Sequence, residues 1–404
     1  MKWEKVKLGD IATCIQPGPF GSQLHNSDYS KEGTPIIMPK DIVGGAIVHS
    51  GLLKVSEEHV KRLSRHQVYE GNLIVARKGD VRKCAYITAN ENGWMTGSDC
   101  LKVVLDESKC YPKFIYYQLR SEHIGRWLEK VSIGATMPSL NTGLLSGIEM
   151  ALPPIEIQKQ IAGILSVYDD LIENNQKQIK LLEEAAQRLY KEWFVDLRFP
   201  GHENTKIVDG VPEGWSKSMV SEVSAVLRRG ISPKYNEKAR GIVINQKCIR
   251  QTIVSYDEAR TQEKKYPAEL EMMESDIVIC STGAGTLGRV GQIFEAKGNA
   301  TLDSHVTLIR ANEKIGQQYL FWSLKMQQDY LMSAGKGSTN QLELSRETIG
   351  NCKILIPEQK IAEQAEKNFA AIHDKMKECS MRIARLREVR DLLLPKLMSG
   401  EVEV

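Results

Sequence analysis

The amino-acid sequence contains an internal repeat, and this repeat limits the possible folds more than any other feature. The segment E-G-N-L-I-V-A begins at Glu70, and the similar segment E-S-D-I-V-I-C begins at Glu274, an offset of 204 positions (274 − 70). L-P-P-I-E-I-Q-K-Q-I-A at Leu152 and I-P-E-Q-K-I-A at Ile356 have the same offset (356 − 152). The chain of 404 residues is therefore two copies of one unit, each about half its length.

Both copies have the same predicted order of elements. Short apolar runs broken by Gly, Pro and Asn come first, such as L-I-V-A, K-V-V-L, I-V-I-C and V-T-L-I. These runs are typical of strands in a mixed α/β domain. A helix is predicted next, over 114–128 in the first copy and 318–332 in the second. A Gly-rich loop follows, and a Pro-marked entry then leads into a long helical pattern.

The two long helical patterns cover about 157–196 and 361–394. Their apolar residues recur in alternating steps of three and four, which is the seam spacing of a coiled coil. Such a helix is not stable alone, so each is expected to pack against the other. Asn175 lies in the first apolar stripe, either as a buried residue that fixes register or as a partly wet position. Pro395 is expected to end the second helix.

These elements predict an α+β chain with pseudo-twofold symmetry. Two mixed α/β domains are each followed by a long helix, and the two helices form an antiparallel coiled coil. The predicted bounds are 1–153 for the first domain, 154–200 for the central helix, 201–357 for the second domain and 358–404 for the C-terminal helix.

Composition limits the classes of function. The eight cysteines are scattered without a Cys-x-x-Cys pair, so neither zinc-ligand spacing nor a disulfide framework is expected. No apolar run approaches the roughly 18 residues of a membrane span, and the first residues do not resemble a signal peptide. The formal net charge is only +3, so any basic surface for nucleic acid must be local.

A glycine-rich segment raises the possibility of a nucleotide site. D-I-V-I-C-S-T-G-A-G-T-L-G-R-V-G, from Asp276, contains Gly-x-Gly-x-x-Gly at Gly283 to Gly288. A dinucleotide turn needs a helix directly after it, but the residues that follow predict a strand and a turn. The repeat at Gly79 also lacks the triple glycine. A tight loop between two strands is favoured, and a nucleotide-dependent enzyme that uses this loop is kept as an alternative.

Other catalytic patterns are not found in the sequence. The D-S-H segment at Asp303 combines suggestive residue types, but adjacent side chains point in different directions and cannot form a relay. The first copy has Ser98, Asp99 and Cys100 at the corresponding place. There is no His-Glu-x-x-His segment and no Asn/Asp-Pro-Pro-Tyr/Phe segment.

Basic and polar residues cluster on or beside the Gly-rich loops. Arg and Lys neutralise phosphates, Arg reads guanine edges, and Asn and Gln read adenine edges. More than half of the individual basic residues are expected to be ordinary surface charges, so the clusters rather than single members carry the hypothesis. The predicted DNA-binding residues are Ser22, Gln23, Arg77, Lys78, Arg82, Lys83, Thr136 and Asn141 in the first copy, and Arg228, Arg229, Lys234, Lys247, Arg289, Lys336, Ser338 and Asn340 in the second.

The order of these segments resembles the specificity subunit of type I restriction-modification systems, over essentially the whole chain. The resemblance rests on G-P-F-G-S-Q-L at Gly18, E-W-F-V-D-L-R-F-P-G at Glu192 and P-K-L-M-S-G-E at Pro395. The second copy departs from the pattern, because R-R-G-I-S-P-K at Arg228 stands in place of G-P-F-G-S. The two domains should therefore read different DNA sequences.

The resemblance implies a non-catalytic protein without a cofactor or metal of its own, in the cytoplasm of a bacterium or archaeon. Each domain would be a target-recognition domain for one half of a split, asymmetric site on double-stranded DNA. The helices would space the domains and dock two methyltransferase subunits, which use S-adenosylmethionine, and restriction subunits that use ATP and Mg²⁺ would join. A coiled-coil scaffold without a DNA role is the remaining alternative.

Overall fold

The computed structural model describes residues 3–132, 138–283, 285–335 and 342–403. The chain forms two compact units, of which the first is Met1–Glu173 with Ala384–Val404 and the second is Asn174–Ile383. The strand-rich parts of these units are named here the first and the second domain. Helices and strands are mixed in both, which confirms the predicted α+β class.

The first unit contains a strand-rich domain and short helices, and it leads into the first long helix, α5 (Ile155–Tyr190). Its strands are β1 (Glu4–Lys7), β2 (Ala12–Pro17), β3 (Tyr29–Ser30), β4 (Thr34–Ile37), β5 (Ile42–Val43), β6 (Ala46–Ile47), β7 (Leu53–Val55), β8 (Leu73–Ala76), β9 (Cys84–Tyr86), β10 (Met95–Thr96), β11 (Cys100–Leu105) and β12 (Glu149–Leu152). Its short helices are α1 (Glu57–Arg62), α2 (Pro112–Leu119), α3 (Glu122–Val131) and α4 (Thr142–Ser146).

The second unit repeats this order and leads into the second long helix, α9 (Gln359–Ser399). Its strands are β13 (Ile207–Val208), β14 (Val211–Pro212), β15 (Ser216–Met219), β16 (Ser224–Arg229), β17 (Gly241–Ile244), β18 (Arg260–Gln262), β19 (Ile277–Cys280), β20 (Val290–Gln292), β21 (Ala300–Leu302), β22 (Val306–Ala311) and β23 (Lys353–Ile356). Its short helices are α6 (Gln317–Met326), α7 (Gln328–Ser333) and α8 (Arg346–Gly350).

The two domains share the main features of their sheet topology, which confirms the predicted repeat. A four-stranded antiparallel sheet has the order β2-β11-β8-β9 in the first domain and β16-β22-β19-β20 in the second. A second sheet, with four strands in the first domain and three in the second, contains one parallel pair in each, β4 with β10 and β17 with β21. The strand before the four-stranded antiparallel sheet pairs with the last strand in both, as β1 with β12 and β15 with β23.

The central strands are apolar throughout because both of their faces are covered. In β8, Leu73 and Val75 pack into the core that contains helix α2, whereas Ile74 packs into a second core. In β19, Ile277 and Val278 likewise pack into two different cores. Since side chains alternate along a strand, a fully buried strand needs an unbroken apolar run. The runs L-I-V-A and I-V-I-C meet this requirement.

The helices predicted over 114–128 and 318–332 are wrong as single helices. Each is a pair, α2 with α3 and α6 with α7. The first break occurs at Ser121, whose Oγ accepts a hydrogen bond from the N–H of Ile124 (3.5 Å). A serine that caps a new helix in this way competes with continuation of the preceding one.

The two long helices differ from the prediction mainly at their ends. Helix α5 continues into a π-helical turn at Lys191–Val195. Pro395 was expected to end α9, and this is wrong because the helix continues to Ser399. Proline removes one hydrogen bond, to the carbonyl of Asp391, and Asp391 is exposed so that water can solvate that carbonyl. Buried Leu397 then anchors the last turn in the core of the first unit.

Within each unit, segments of the two long helices pack antiparallel, as predicted. In the first unit, Arg390 Nη1 lies 2.6 Å from Asp169 Oδ1. In the second unit, Cys379 Sγ lies 3.4 Å from Gln178 Oε1. Asn175 is only 6 % exposed, which favours the register hypothesis over a partly wet position. None of the described helices combines the length and the apolar character that a membrane crossing requires.

Candidate nucleic-acid interface

The loops of the first domain converge where β2 and β8 end and β11 begins. The N–H of Gly18 donates to the carbonyl of Cys100 (3.0 Å), and the N–H of Arg77 donates to that of Asp99 (2.7 Å). The N–H of Leu140 donates to the carbonyl of Arg77 (2.8 Å), which brings in the loop before α4. These loops form one surface, the first edge, which consists of residues 17–23, 77–83, 96–99 and 138–141.

The second domain has the same framework. The N–H of Gly230 donates to the carbonyl of Val306 (3.0 Å), and the N–H of Ser281 donates to that of His305 (2.7 Å). The N–H of Leu344 donates to the carbonyl of Ser281 (2.8 Å). These three bonds correspond one to one with the bonds of the first edge. The second edge consists of residues 229–236, 281–283, 285–289, 302–305 and 342–344.

Glycine is required at one equivalent place in each edge. A Cβ atom on Gly18 would overlap the carbonyl oxygen of Gly97, and one on Gly230 would overlap that of Leu302. Only glycine lets the backbones approach so closely. The G-P-F-G-S segment and its counterpart R-R-G-I-S-P-K therefore share a structural glycine although the rest of the two segments differs.

The first edge combines an exposed aromatic ring with charged and polar groups. Phe20 is 52 % exposed, and the guanidinium of Arg77 lies 5.4 Å from the centroid of its ring. Lys78 Nζ lies 3.1 Å from Asp99 Oδ1, and both side chains are partly exposed. The predicted residues Ser22 and Gln23 lie in a short turn directly after Phe20. Arg77, Lys78, Ser22 and Gln23 are thus brought together.

Three other predicted residues of the first copy have contacts within the domain itself. Arg82 pairs with Glu122 and with Glu129, both in α3. Lys83 Nζ donates to the carbonyl of Pro39 (3.0 Å). Asn141 accepts a hydrogen bond from the N–H of Leu144 (2.8 Å) and thereby caps α4. These contacts give each side chain a structural role, and a DNA contact by any of them stays a prediction.

In or directly beside the second edge, three of the predicted basic residues form ion pairs. Arg229 Nη1 lies 2.5 Å from Glu343 Oε1, and Arg228 pairs with Glu269. Lys234 Nζ lies 2.5 Å from Glu263 Oε1, and the hydrogen bond from this carboxylate raises the pKa of Lys234.

Two further basic residues lie beside or within the glycine loop. Lys247 is exposed on the turn that follows β17, and its neighbour Gln246 lies close to Gly283. Arg289 is half-buried at the end of the loop, where its N–H donates to the carbonyl of Thr286 (3.2 Å). The remaining predicted residues lie outside the described part of the chain: Thr136, Lys336, Ser338 and Asn340.

The second edge also carries residues that were not among the predicted DNA-binding residues. Tyr235 is 43 % exposed, and the guanidinium of Arg260 lies 3.5 Å from the centroid of its ring. Thr282 Oγ1 lies 2.6 Å from His305 Nδ1. Buried Asp303 accepts a hydrogen bond from the N–H of His305 (2.9 Å), and burial raises the pKa of Asp303.

The glycine loop at Gly283 to Gly288 connects two antiparallel strands, as predicted. Ile277 of β19 pairs with Gln292 of β20, and Ile279 pairs with Val290. A dinucleotide fold instead places a helix after the loop, so that its N-terminus can hold the phosphates. Among the described residues, no helix begins between this loop and α6, and no cluster of side chains could hold a metal ion. The structure therefore does not support the nucleotide-enzyme alternative.

Two copies of one mixed α/β domain, each followed by a long helix and each with its own polar loop edge, define a duplicated recognition protein. Residues 1–184 and 212–377 match the profile of the family described as Type I restriction modification DNA specificity domain. These segments cover well over half of the chain, so the chain belongs to this family. It is a specificity subunit, the non-catalytic component that recognises DNA in a restriction-modification system.

Similar proteins cover the chain almost completely. It is 25 % identical to the type I restriction enzyme MjaIX specificity subunit of Methanocaldococcus jannaschii, over 100 % of this chain and 94 % of that protein. It is 23 % identical to the HindI specificity subunit of Haemophilus influenzae, over 99 % of each chain. The crystal structure of the S subunit of a type I system from M. genitalium has the same fold, with a TM-score of 0.57 at 18 % identity, over 98 % of this chain and 96 % of that one.

Proposed function

We propose that this chain reads a split, asymmetric target on double-stranded DNA and directs adenine methylation or restriction by partner subunits. Each edge contacts one half of the target. The observation that carries the proposal is that the two edges share three backbone hydrogen bonds but differ in the side chains that these bonds support. Two identical edges would favour two identical half-sites, whereas two different edges favour an asymmetric target.

The chemistry of the edges suits the major groove. Lys78 and Arg77 in the first edge can neutralise phosphates or donate to guanine. Carboxylate, hydroxyl and imidazole groups lie beside them or at the equivalent places of the second edge. Contacts to phosphate position a protein on the duplex, and contacts to base edges provide its specificity. Each edge offers groups of both kinds.

The proposal also gives roles to the long helices and to the partner subunits. The long helices hold the two domains at a fixed spacing, so that two half-sites about one helical turn apart, roughly 34 Å, present the same face of the duplex. Two methyltransferase subunits dock on the helical segments and bring S-adenosylmethionine. Restriction subunits bring ATP and Mg²⁺, and the complex acts in the cytoplasm of a bacterium or archaeon.

The direct test is a selection from random DNA. The full chain is assembled with its methyltransferase partner, DNA with a long randomised segment is bound, and the bound fraction is sequenced. The expected result is two short, different blocks separated by a gap of constant length. A single block, a palindrome or no enrichment would overturn the proposal. The partner alone is the control and should enrich no split motif.

A further inference from the structure

One pair of side chains occupies the same place in both edges. In the first edge, the N–H of Arg77 donates to the carbonyl of Asp99, and Lys78 is the next residue. In the second edge, the N–H of Ser281 donates to the carbonyl of His305, and Thr282 is the next residue. The strand register supports this equivalence, because β8 and β19 pair with β11 and β22 in the same way. Lys78 with Asp99 is therefore the counterpart of Thr282 with His305.

In the first pair, an ammonium group and a carboxylate lie side by side. Lys78 Nζ is 3.1 Å from Asp99 Oδ1, with 45 % and 34 % of the two side chains exposed. An ion pair with this exposure stabilises a fold by less than about 1 kcal/mol. The backbone bonds already hold the two loops together, so fold stability does not explain the pair.

In the second pair, a hydroxyl and an imidazole replace the two charges. Thr282 Oγ1 and His305 Nδ1 are 2.6 Å apart, and His305 is exposed. This bond fixes the plane of the ring and directs the second ring nitrogen away from Thr282. The pair offers a methyl group and an imidazole nitrogen in place of an ammonium and a carboxylate.

We infer that each pair reads one base pair of its half-site, a G·C pair at residues 78 and 99 and an A·T pair at residues 282 and 305. Lysine donates to O6 and N7 of guanine, and aspartate accepts from the amino group of cytosine, so Lys78 and Asp99 together match one G·C pair. A threonine methyl group contacts the thymine methyl group, which G·C pairs lack. The inference rests on the proposed function and adds to it the residues that set one position in each half.

The test exchanges the two pairs. The double variants Lys78→Thr with Asp99→His, and Thr282→Lys with His305→Asp, are assembled with the methyltransferase partner and used in the selection from random DNA. In the first variant, one G·C position of one block should change to A·T, with a change in preference of roughly tenfold or more. In the second variant, one A·T position of the other block should change to G·C. The block read by the unaltered domain should not change.

A lysine in the turn that follows the opposite end of β11 provides the matched control. Lys109 Nζ lies 3.6 Å from Asp106 Oδ2 and is about as exposed as Lys78, but it lies outside the first edge. Lys109→Thr should leave both blocks unchanged. If a double variant does not fold, the single variants Lys78→Ala and His305→Ala keep the backbone bonds, and each should weaken discrimination at one position of one block.

The outcomes separate this inference from the proposed function. If the wild-type chain selects no split motif, the proposed function fails and the inference fails with it. If the wild type selects a split motif and the exchanged variants bind all sequences uniformly more weakly, the pairs contact only the DNA backbone. The inference is then overturned while the proposed function stands. An unchanged motif at unchanged affinity also overturns it.

Discussion

In the first domain, the loop after β8 presents Lys78 beside Asp99, and in the second domain the equivalent loop presents Thr282 bonded to His305. The backbone bonds around both pairs are the same, and a close-packed glycine lies at the same place, Gly18 or Gly230. The comparison shows that backbone hydrogen bonds and a close-packed glycine hold the loops of each edge in place. The exposed side chains are therefore available for recognition, and they can differ between the domains without loss of the fold.

The contacts between each domain and the long helices differ in a similar way. In the first unit, Asp169 of α5 lies between Arg390 of α9 and Arg120, at 2.6 Å and 3.8 Å. In the second unit, Glu183 and Lys325 are both half-buried, and their partial burial raises the pKa of Glu183 and lowers that of Lys325. One fold thus accommodates two arrangements of charge where its domains meet the helices.

Replacement of residues 1–153 by the corresponding domain of another specificity subunit gives the largest expected change. One block of the recognised sequence should be replaced completely, because every contact of the first edge is exchanged, and the other block should stay the same. Sequencing of the DNA selected by the hybrid measures this. Replacement of 201–357 is the reciprocal control. A change in both blocks would contradict the independence of the two domains.

Gly18→Ala and Gly230→Ala should each disrupt one edge. The new methyl group overlaps a backbone carbonyl, and relief of this overlap should cost about 1–3 kcal/mol of unfolding free energy. Recognition of one block should be lost in each variant, which selection from random DNA would show. Gly163→Ala is the matched control, since nothing lies near that position on α5 and alanine favours a helix. Normal recognition by both edge variants would contradict the role assigned to the two glycines.

Acid should weaken both units through buried histidines. Burial lowers the pKa of His66 in the first unit to about 4, from 6.5, with a further contribution from Arg65, and burial also lowers the pKa of His373 in the second unit. Below pH 6.5 the unfolded chain binds protons that the folded chain does not, so this stability is complete above pH 6.5 and is lost as the pH falls through the lowered pKa.

Hydrogen exchange measured at pH 7 and pH 5, with rates corrected for the intrinsic effect of pH, can follow the two units separately. His66→Asn should remove part of the pH dependence of the first unit only, and His373→Asn should do so for the second unit only. Each variant is the control for the other. Equal pH dependence in the wild type and both variants would show that other groups are responsible.

Lys78→Ala should have the smallest effect. Loss of one cation at the first edge should weaken DNA binding by about 1 kcal/mol. If Lys78 contacts a guanine, the preference at one position should also relax. If it contacts only a phosphate, binding should weaken evenly and the salt dependence should decrease by about one ion. Lys109→Ala, in the turn after the other end of β11, should change neither binding nor salt dependence in a titration from low to high salt. Equal effects of the two variants would contradict the claim that the first edge, and not the rest of the surface, binds DNA.

Much of the fold could be predicted from the sequence because its signals are local. The buried runs at Leu73 and Ile277 predicted central strands, and the residues after Gly288 predicted a strand in place of a nucleotide-binding helix. The three-four spacing predicted the long helices. The prediction that Pro395 ends a helix was wrong because the effect of a proline depends on whether water can solvate the carbonyl that loses its hydrogen bond. The break at Ser121 was not predicted because it depends on one hydrogen bond to a side chain.

The pairing of side chains at the edges could not be predicted. The alignment of the two copies by sequence alone pairs the segment Ser98–Cys100 with the segment Asp303–His305, so that Asp99 is paired with Ser304. Strand register instead makes Cys100 the counterpart of Val306 and Asp99 the counterpart of His305, because the intervening loop is longer in the second copy. Only the hydrogen bonds between the strands show which residues of the two domains are structurally equivalent. The exposed rings of Phe20 and Tyr235 were missed because nothing in an isolated sequence marks them as exposed.

The central claim is that this chain selects the DNA sequence on which its partners act. The most direct test is a genome-wide map of adenine methylation in cells with and without the chain, in the presence of its methyltransferase partner. The account predicts a split motif, two short blocks around a gap of constant length, that disappears when the chain is removed. An unchanged map in cells shown to contain an active partner would contradict it.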